Sequence, residues 1–186
     1  MAVHRRPGET TAVVCAGFDP HLDAAVLRQA TALREAGLRI AVSRHPPHLT
    51  LGAVTVATPD LEQVRALVAG LAQRQRPFGV RLDHFGAFPG GVLWLGPQPS
   101  AALSALQFAV DGGLQEAGHA RAFGAQSDPA QWVAHCTLAR RLAPNALGRA
   151  VALVAEGFRP AAGRVERLLI IRLGSGAAAE VLPLHR

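Results

Sequence analysis

Cysteine and long apolar runs are scarce in this sequence. Its 186 residues include only Cys15 and Cys136, too few for a disulfide framework and not in a metal-type CxxC spacing. No run of about 18 apolar residues indicates a membrane span, and residues 1–11 lack the apolar core of a signal peptide. We therefore expect a chain without a membrane segment, in a reducing, cytoplasmic compartment.

Lysine and tyrosine are absent. All 19 basic residues are arginine, and the formal net charge is +6. Guanidinium groups make forked hydrogen bonds to phosphate, so this set suits an anionic partner. A GC-rich coding sequence would replace lysine by arginine without functional cause and explains most of the bias. The hydrophobic fraction of 49% excludes a disordered chain.

Hydrophobic periodicity and turn signals predict strands and helices in two similar halves. Each half has a helix, a strand that carries a histidine motif, a second helix and further strands. The predicted strands are 11–17, 38–42, 48–56, 77–88, 92–95, 132–138, 165–173 and 180–184, and the predicted helices are 19–37, 58–75, 100–118 and 144–154. Residues 119–131 are irregular.

The two motifs share the pattern His, apolar residue, Thr, Leu. Side chains alternate along a strand, so His48 and Thr50 share one face, as do His135 and Thr137. Each motif therefore presents an imidazole and a hydroxyl together, while the other two residues face the core. The motifs, about half a chain length apart, are His48-Leu49-Thr50-Leu51 and His135-Cys136-Thr137-Leu138.

This repetition indicates an internally duplicated α+β fold. We expect two pseudo-symmetric lobes, each an antiparallel sheet with flanking helices, and a central cleft that carries both HxT motifs. Residues 1–186 would form one bilobal domain, with 1–10 as a flexible N-terminal segment. The sequence has no signal for oligomers, so a monomer is expected.

From 13 to 184 the chain resembles the 2H phosphoesterase superfamily, and most closely its 2′-5′ RNA ligase / RNA 2′,3′-cyclic phosphodiesterase branch. The resemblance is strongest at residues 47–52 and 132–140 and extends to the hairpin at 85–88 and 92–95. Two such motifs on predicted strands at half-chain spacing are far more specific than one. Ala134 departs from the family, in which proline often precedes the second motif.

The resemblance implies a metal-independent phosphodiesterase that hydrolyses 2′,3′-cyclic phosphate ends of RNA or small nucleotides to 2′-phosphates. It implies His48 as the acid on the leaving oxygen and His135 as the base on water. Histidine can serve in either role because it titrates near neutral pH. Thr50 and Thr137 would donate hydrogen bonds to the phosphate. The reverse chemistry, ATP-independent 2′-5′ RNA ligation, needs no cofactor or metal either.

Two further residues are expected to bind substrate. In relatives an arginine at the place of Arg140 contacts phosphate, although simple alternation puts Arg141 on the His135 face. A bulge or a strand end would be needed to turn Arg140 there; otherwise both arginines are solvated. Trp132 could stack on a base or belong to the core. The absence of tyrosine leaves few other platforms for stacking.

Two alternatives stay open. The same cleft could hold an RNA end or a phosphorylated metabolite without turnover. A metal site could form from His45, His48, His135 and Cys136, although two prolines and the opposed direction of Cys136 disfavour it. The substrate itself is not readable, since specificity depends on the loops at 39–47, 84–91 and 119–131.

Overall fold

The computed structural model describes residues 8–38, 45–123 and 129–185. Most of the strand predicted at 38–42, and parts of the loops at 39–47 and 119–131, lie outside these residues. The described part contains eight strands and four α helices, with 3-10 turns at Thr58–Asp60 and Pro129–Gln131. In chain order the elements are β1 (Glu9–Phe18), α1 (Pro20–Glu35), β2 (His48–Ala57), α2 (Leu61–Arg74), β3 (Phe78–Phe88), β4 (Val92–Pro97), α3 (Ala101–Glu116), β5 (Ala120–Arg121), β6 (Cys136–Ala139), α4 (Pro144–Gly157), β7 (Ala161–Leu173) and β8 (Glu180–Pro183).

The strands form one antiparallel sheet in the order β5-β2-β1-β7-β3-β4-β6, and β8 also pairs with β7. The long strand β7 joins the two halves of the sheet. Its later part pairs with β1, and its first residues pair with β3. The α+β class and the antiparallel arrangement are confirmed, and the sheets expected for the two lobes are continuous through β7.

Helices α1 and α3 begin at the caps that their sequences predict. The carboxylate of Asp19 accepts a hydrogen bond from the backbone N–H of Leu22 at 2.7 Å, which caps α1. Ser100 caps α3 in the same way through Leu103, at 3.3 Å. Most of the buried apolar side chains, from helices and strands of both halves, form one contiguous core. None of the helices in the described ranges is long and apolar enough to cross a membrane.

Several boundaries differ from the sequence prediction. Strand β7 begins at Ala161 rather than at 165, and β5 falls within the segment predicted to be irregular. Glu9 and Thr10, assigned above to a flexible segment, are the first residues of β1 and pair with β2. The helix predicted from 58 begins with a 3-10 turn, and α2 starts at Leu61. The strand predicted at 132–138 is shorter, because pairing with β4 starts only at Cys136.

Candidate active site

The two motif strands come together although each is paired elsewhere in the sheet. β2 pairs with β1 and β5, whereas β6 pairs with β4. The indole N–H of Trp132 donates a hydrogen bond to the carbonyl oxygen of Thr50 at 2.9 Å. Residues of β2 and β6 also lie close together. These contacts join the two motif segments and bring both histidines to one site, where the charge of His135 acts on the pKa of His48.

The two histidine rings are held by the same local contact. Nδ1 of His48 lies 2.7 Å from the carbonyl oxygen of Pro46, and Nδ1 of His135 lies 2.7 Å from that of Val133. A carbonyl oxygen can only accept, so Nδ1 carries the proton in both rings. Nε2 of each neutral ring therefore has its lone pair available. The repetition of one i−2 contact in both motifs reflects the duplicated pattern of the sequence.

Burial lowers the pKa of both imidazoles. For His48 it is the largest cause, and the hydrogen bond to the Pro46 carbonyl opposes it. The nearby charges of His45, Arg140 and His135 lower the pKa of His48 further. Burial also lowers the pKa of His135, against the opposing hydrogen bond to Val133. Both rings thus favour the neutral form, as a general base requires.

The predicted alternation of faces is present in both motifs. His48, Thr50, His135 and Thr137 are partly exposed. The second and fourth side chains of each motif are buried in the main core: Leu49, Leu51, Cys136 and Leu138. The structure therefore brings the two imidazoles and two hydroxyls to the partly exposed side of the motif strands.

A β-bulge falls on the last residue of each motif. Cys15 pairs with Thr50 and Val14 with Gly52, so Leu51 is the extra residue in β2. Trp94 pairs with Thr137 and Leu93 with Ala139, so Leu138 is the extra residue in β6. A bulge shifts the alternation of faces by one residue. The two motifs thus repeat in backbone irregularity as well as in sequence.

A phosphate-binding role for Arg140 requires a bulge or a strand end that turns its side chain to the His135 face, and the bulge at Leu138 is such an irregularity. With the alternation shifted by one position, Arg140 and not Arg141 follows on the side of Thr137. Strand β6 ends just before it, and Arg141 has a left-handed φ of 60°. The charge of Arg140 also lowers the pKa of His48. Its contact with phosphate stays a prediction.

Trp132 is half-buried and packs against the main core, while its indole N–H is bound to Thr50. Three rings of the hairpin β3–β4 were not among the predicted site residues. Phe88 and Trp94 lie beside His135, and His84 lies beside Trp94. The signal was present, since the tight turn at 89–91 aligns Phe88 with Val92. That register puts Gly86 opposite Trp94 and carries the indole to the site.

The four residues of the metal alternative do not form a metal-binding group. Within 8–38, 45–123 and 129–185, no three His, Cys, Asp or Glu side chains are grouped so as to hold a metal ion. Cys136 points into the main core, as the alternation predicts, and burial raises the pKa of its thiol to about 12. A thiol with such a pKa is a poor source of the thiolate that metals bind.

Several solved structures share this fold. Escherichia coli LigT, solved with 3′-AMP, is 18% identical, with a TM-score of 0.63 and coverage of 95% of each chain. TT0787 of Thermus thermophilus is 24% identical, with a TM-score of 0.64, over 92% of this chain and 94% of that one. Usb1 of Kluyveromyces marxianus is 12% identical, with a TM-score of 0.52, over 95% of this chain and 98% of that one. At these identities the likeness shows the fold.

No protein with a curated description matches the chain significantly. The sequence model of one family does match, over residues 18–177, and this range includes both HxT motifs, Arg140 and Trp132. The chain therefore belongs to the 2′-5′ RNA ligase superfamily.

Proposed function

We propose that this protein is a metal-independent phosphodiesterase that opens 2′,3′-cyclic phosphates of RNA ends or small nucleotides to give 2′-phosphates. One observation carries the proposal. One imidazole at the start of β2 and one just before β6 are oriented by the same Nδ1 contact, which leaves Nε2 of both His48 and His135 available. A paired acid and base is what hydrolysis of a phosphate diester needs.

The reaction assigns one proton transfer to each histidine. Nε2 of neutral His135 takes a proton from water, and the water oxygen forms a bond to phosphorus. The bond from phosphorus to the ribose 3′-oxygen breaks on the opposite side. Protonated His48 gives its Nε2 proton to that oxygen, and the product is a 2′-phosphate. The lowered pKa of His48 makes it a stronger acid once it is protonated.

The remaining polar groups would stabilise charge on the phosphate. The hydroxyls of Thr50 and Thr137 donate hydrogen bonds to the non-bridging oxygens, whose charge grows in the five-coordinate transition state. Arg140 adds a fixed positive charge at the same site. A 5′-hydroxyl in place of water would give a 2′-5′ linkage, so the proposed site also supports ligation without ATP.

The proposed partners are phosphorylated ribose compounds. Related folds have been solved with 3′-AMP, ATP and NADP+, each of which carries phosphate on ribose. The net charge of +6 favours such anions. We expect the protein to act as a single-domain monomer in the cytoplasm.

The test is hydrolysis of the four nucleoside 2′,3′-cyclic monophosphates in EDTA, with separation of the 2′- and 3′-phosphate products. Each of His48→Ala and His135→Ala should lower kcat by roughly 10²- to 10⁴-fold with an unchanged circular dichroism spectrum. His21→Ala is the matched control, because His21 is an exposed histidine on α1.

Three outcomes would count against the proposal. Near-normal activity in either site variant would remove the two-histidine mechanism. A 3′-phosphate product would mean that the other ribose oxygen leaves. Tight binding of the 2′-phosphate nucleotide without turnover of any cyclic phosphate would favour the binding-only alternative.

A further inference from the structure

A row of aromatic rings extends from His135 along the hairpin β3–β4. The Phe88 ring lies 4.8 Å from the His135 ring between centroids, edge to face. Trp94 lies 5.1 Å from Phe88 and 6.3 Å from His135. His84 continues the row, 5.8 Å from Trp94. His135 thus stands at one end of an aromatic surface.

This surface lies on the same face of the sheet as the second motif. Trp94 is the direct cross-strand partner of Thr137, and the side chains of such a pair project to the same side. Gly96, two residues further along β4, shares that face and carries the His84 ring. Trp94 and His84 are therefore neighbours of Thr137 and His135 on the reacting side.

Two glycines make room for the rings to lie against the strands. A Cβ on Gly86 would stand 2.4 Å from the Trp94 ring, and a Cβ on Gly96 would stand 2.1 Å from the His84 ring. Any larger residue would push these rings off the sheet. Trp94 remains partly exposed and His84 exposed, so each ring lies against the backbone and still has surface open to solvent.

The indole N–H of Trp94 is buried, and one ring nitrogen of His84 is already bound. Nε1 of Trp94 is buried and has no hydrogen-bond partner among the described residues. A buried indole N–H without a partner costs free energy. Trp94 is therefore not held in this position by a hydrogen bond of its N–H. Nδ1 of His84 is held by the carboxylate of Asp83 at 2.8 Å. Trp94 therefore offers a ligand flat ring surface without a polar group.

We propose that Trp94, with His84 beside it, is the wall on which the nucleobase of the substrate stacks; this inference rests on the proposed function. The base is joined to C1′ of the ribose, next to the C2′ that carries the cyclic phosphate. Only a few covalent bonds therefore separate it from phosphorus. With the phosphate between His48 and His135, the base reaches the neighbouring Trp94.

The proposal narrows the substrate class. A flat aromatic wall accepts purines and pyrimidines, because every base has a π-face. It gives no advantage to a cyclic phosphate without a base. The substrate would be a nucleotide or an RNA end with little preference for the identity of that base.

The kinetic test compares a substrate that has a base with one that lacks it. Trp94→Leu should raise KM for adenosine 2′,3′-cyclic phosphate by roughly 5- to 150-fold, the range for loss of one stacked base, with little change in kcat. Methyl riboside 2′,3′-cyclic phosphate should be hydrolysed equally by both proteins. Trp94→Phe should restore most of the affinity, because phenylalanine also stacks.

A second measurement does not depend on turnover or on the folding of the leucine variant. Trp94 and Trp132 are the two tryptophans of the chain. Adenosine 2′-phosphate should quench the fluorescence of the wild-type protein, and Trp94→Phe should lose most of this quenching. Quenching that persists unchanged in Trp94→Phe would move the base to Trp132 and overturn the proposal.

The results of these experiments distinguish the proposed base site at Trp94 from the proposed hydrolysis. If Trp94→Leu slows both esters equally, the ring supports His135 and is not a base site. If it slows neither, the base lies elsewhere. If the wild-type protein hydrolyses neither ester but shows quenching that depends on Trp94, the base site stands and the proposed hydrolysis fails.

Discussion

The indole N–H of Trp132 donates to the carbonyl oxygen of Thr50 at 2.9 Å and so connects the segment before the second motif to the strand of the first. The two residues are 82 positions apart in the chain. The contact uses the indole N–H, which is the polar group of the Trp132 side chain. Base stacking by Trp132 stays a prediction, whereas the contact with Thr50 makes Trp132 a positioning residue for both motifs.

Trp132→Phe tests that positioning role. Phenylalanine keeps an apolar ring but cannot donate to Thr50. The free energy of unfolding should fall by about 1 kcal/mol, which lowers Tm by roughly 2–4 °C in a chain of this size. Because the motifs are less firmly joined, kcat should also fall. Phe108→Leu is the control, since the Phe108 side chain is 67% exposed. An unchanged Tm and kcat in Trp132→Phe would show that the hydrogen bond contributes nothing.

Removing either threonine hydroxyl should slow the chemical step. In Thr50→Val and Thr137→Val the side chain keeps its shape and suits a strand, but it has no donor for the phosphate. Each change should lower kcat by roughly 10²- to 10³-fold, the usual effect of losing one transition-state donor, with a smaller change in KM. The serine variants should keep most of the activity.

Thr55→Val is the control for these variants, because Thr55 is on the same strand, five residues beyond Thr50. Its activity should match that of the wild-type protein. Full activity in both Thr50→Val and Thr137→Val would mean that the hydroxyls serve only the strands.

Arg140 and Arg141 form a natural pair for comparison. Both are exposed, but only Arg140 is placed by the bulge at Leu138 on the side of the motif. Arg140→Gln should lower kcat/KM by roughly 10- to 100-fold, as expected when a charge-assisted hydrogen bond to phosphate is lost. Arg141→Gln should have little effect. The reverse order would show that simple strand alternation was the better guide.

The pH at which kcat/KM is highest should lie below 6.5, the ordinary pKa of histidine, because the pKa of both histidines is lowered. As the pH falls, protonation of His135, the proposed base, should end activity. As the pH rises, loss of the proton from His48, the proposed acid, should end it. Both limbs therefore move to lower pH.

Arg140→Gln provides the check on the alkaline limb of that profile. Removal of the positive charge should raise the pKa of His48 and move this limb to higher pH. The acidic limb should stay in place, since burial is the dominant influence on His135. A profile centred well above 6.5 in the wild-type protein would contradict these assignments.

Local structure and the main candidate residues could be predicted from the sequence alone. Cap and proline signals placed the helix starts at Asp19 and Ser100, because a cap depends only on neighbouring residues. Alternation placed His48 and Thr50 on one face for the same local reason. The duplication of the motif identified the paired histidines, and the family match over residues 18–177 agrees with the superfamily that the motifs resemble.

The contacts between distant segments of the chain could be read only from the tertiary structure. The link from Trp132 to Thr50 and the approach of Trp94 to His135 depend on how the sheet brings β2 and β6 together. The bulge at Leu138, on which the predicted role of Arg140 depends, is set by the register with β4. Such contacts join residues far apart in the chain, and local propensity carries no information about them. The arrangement of the candidate site follows from that long-range packing, whereas the residues proposed for its chemistry could be recognised in the two motifs.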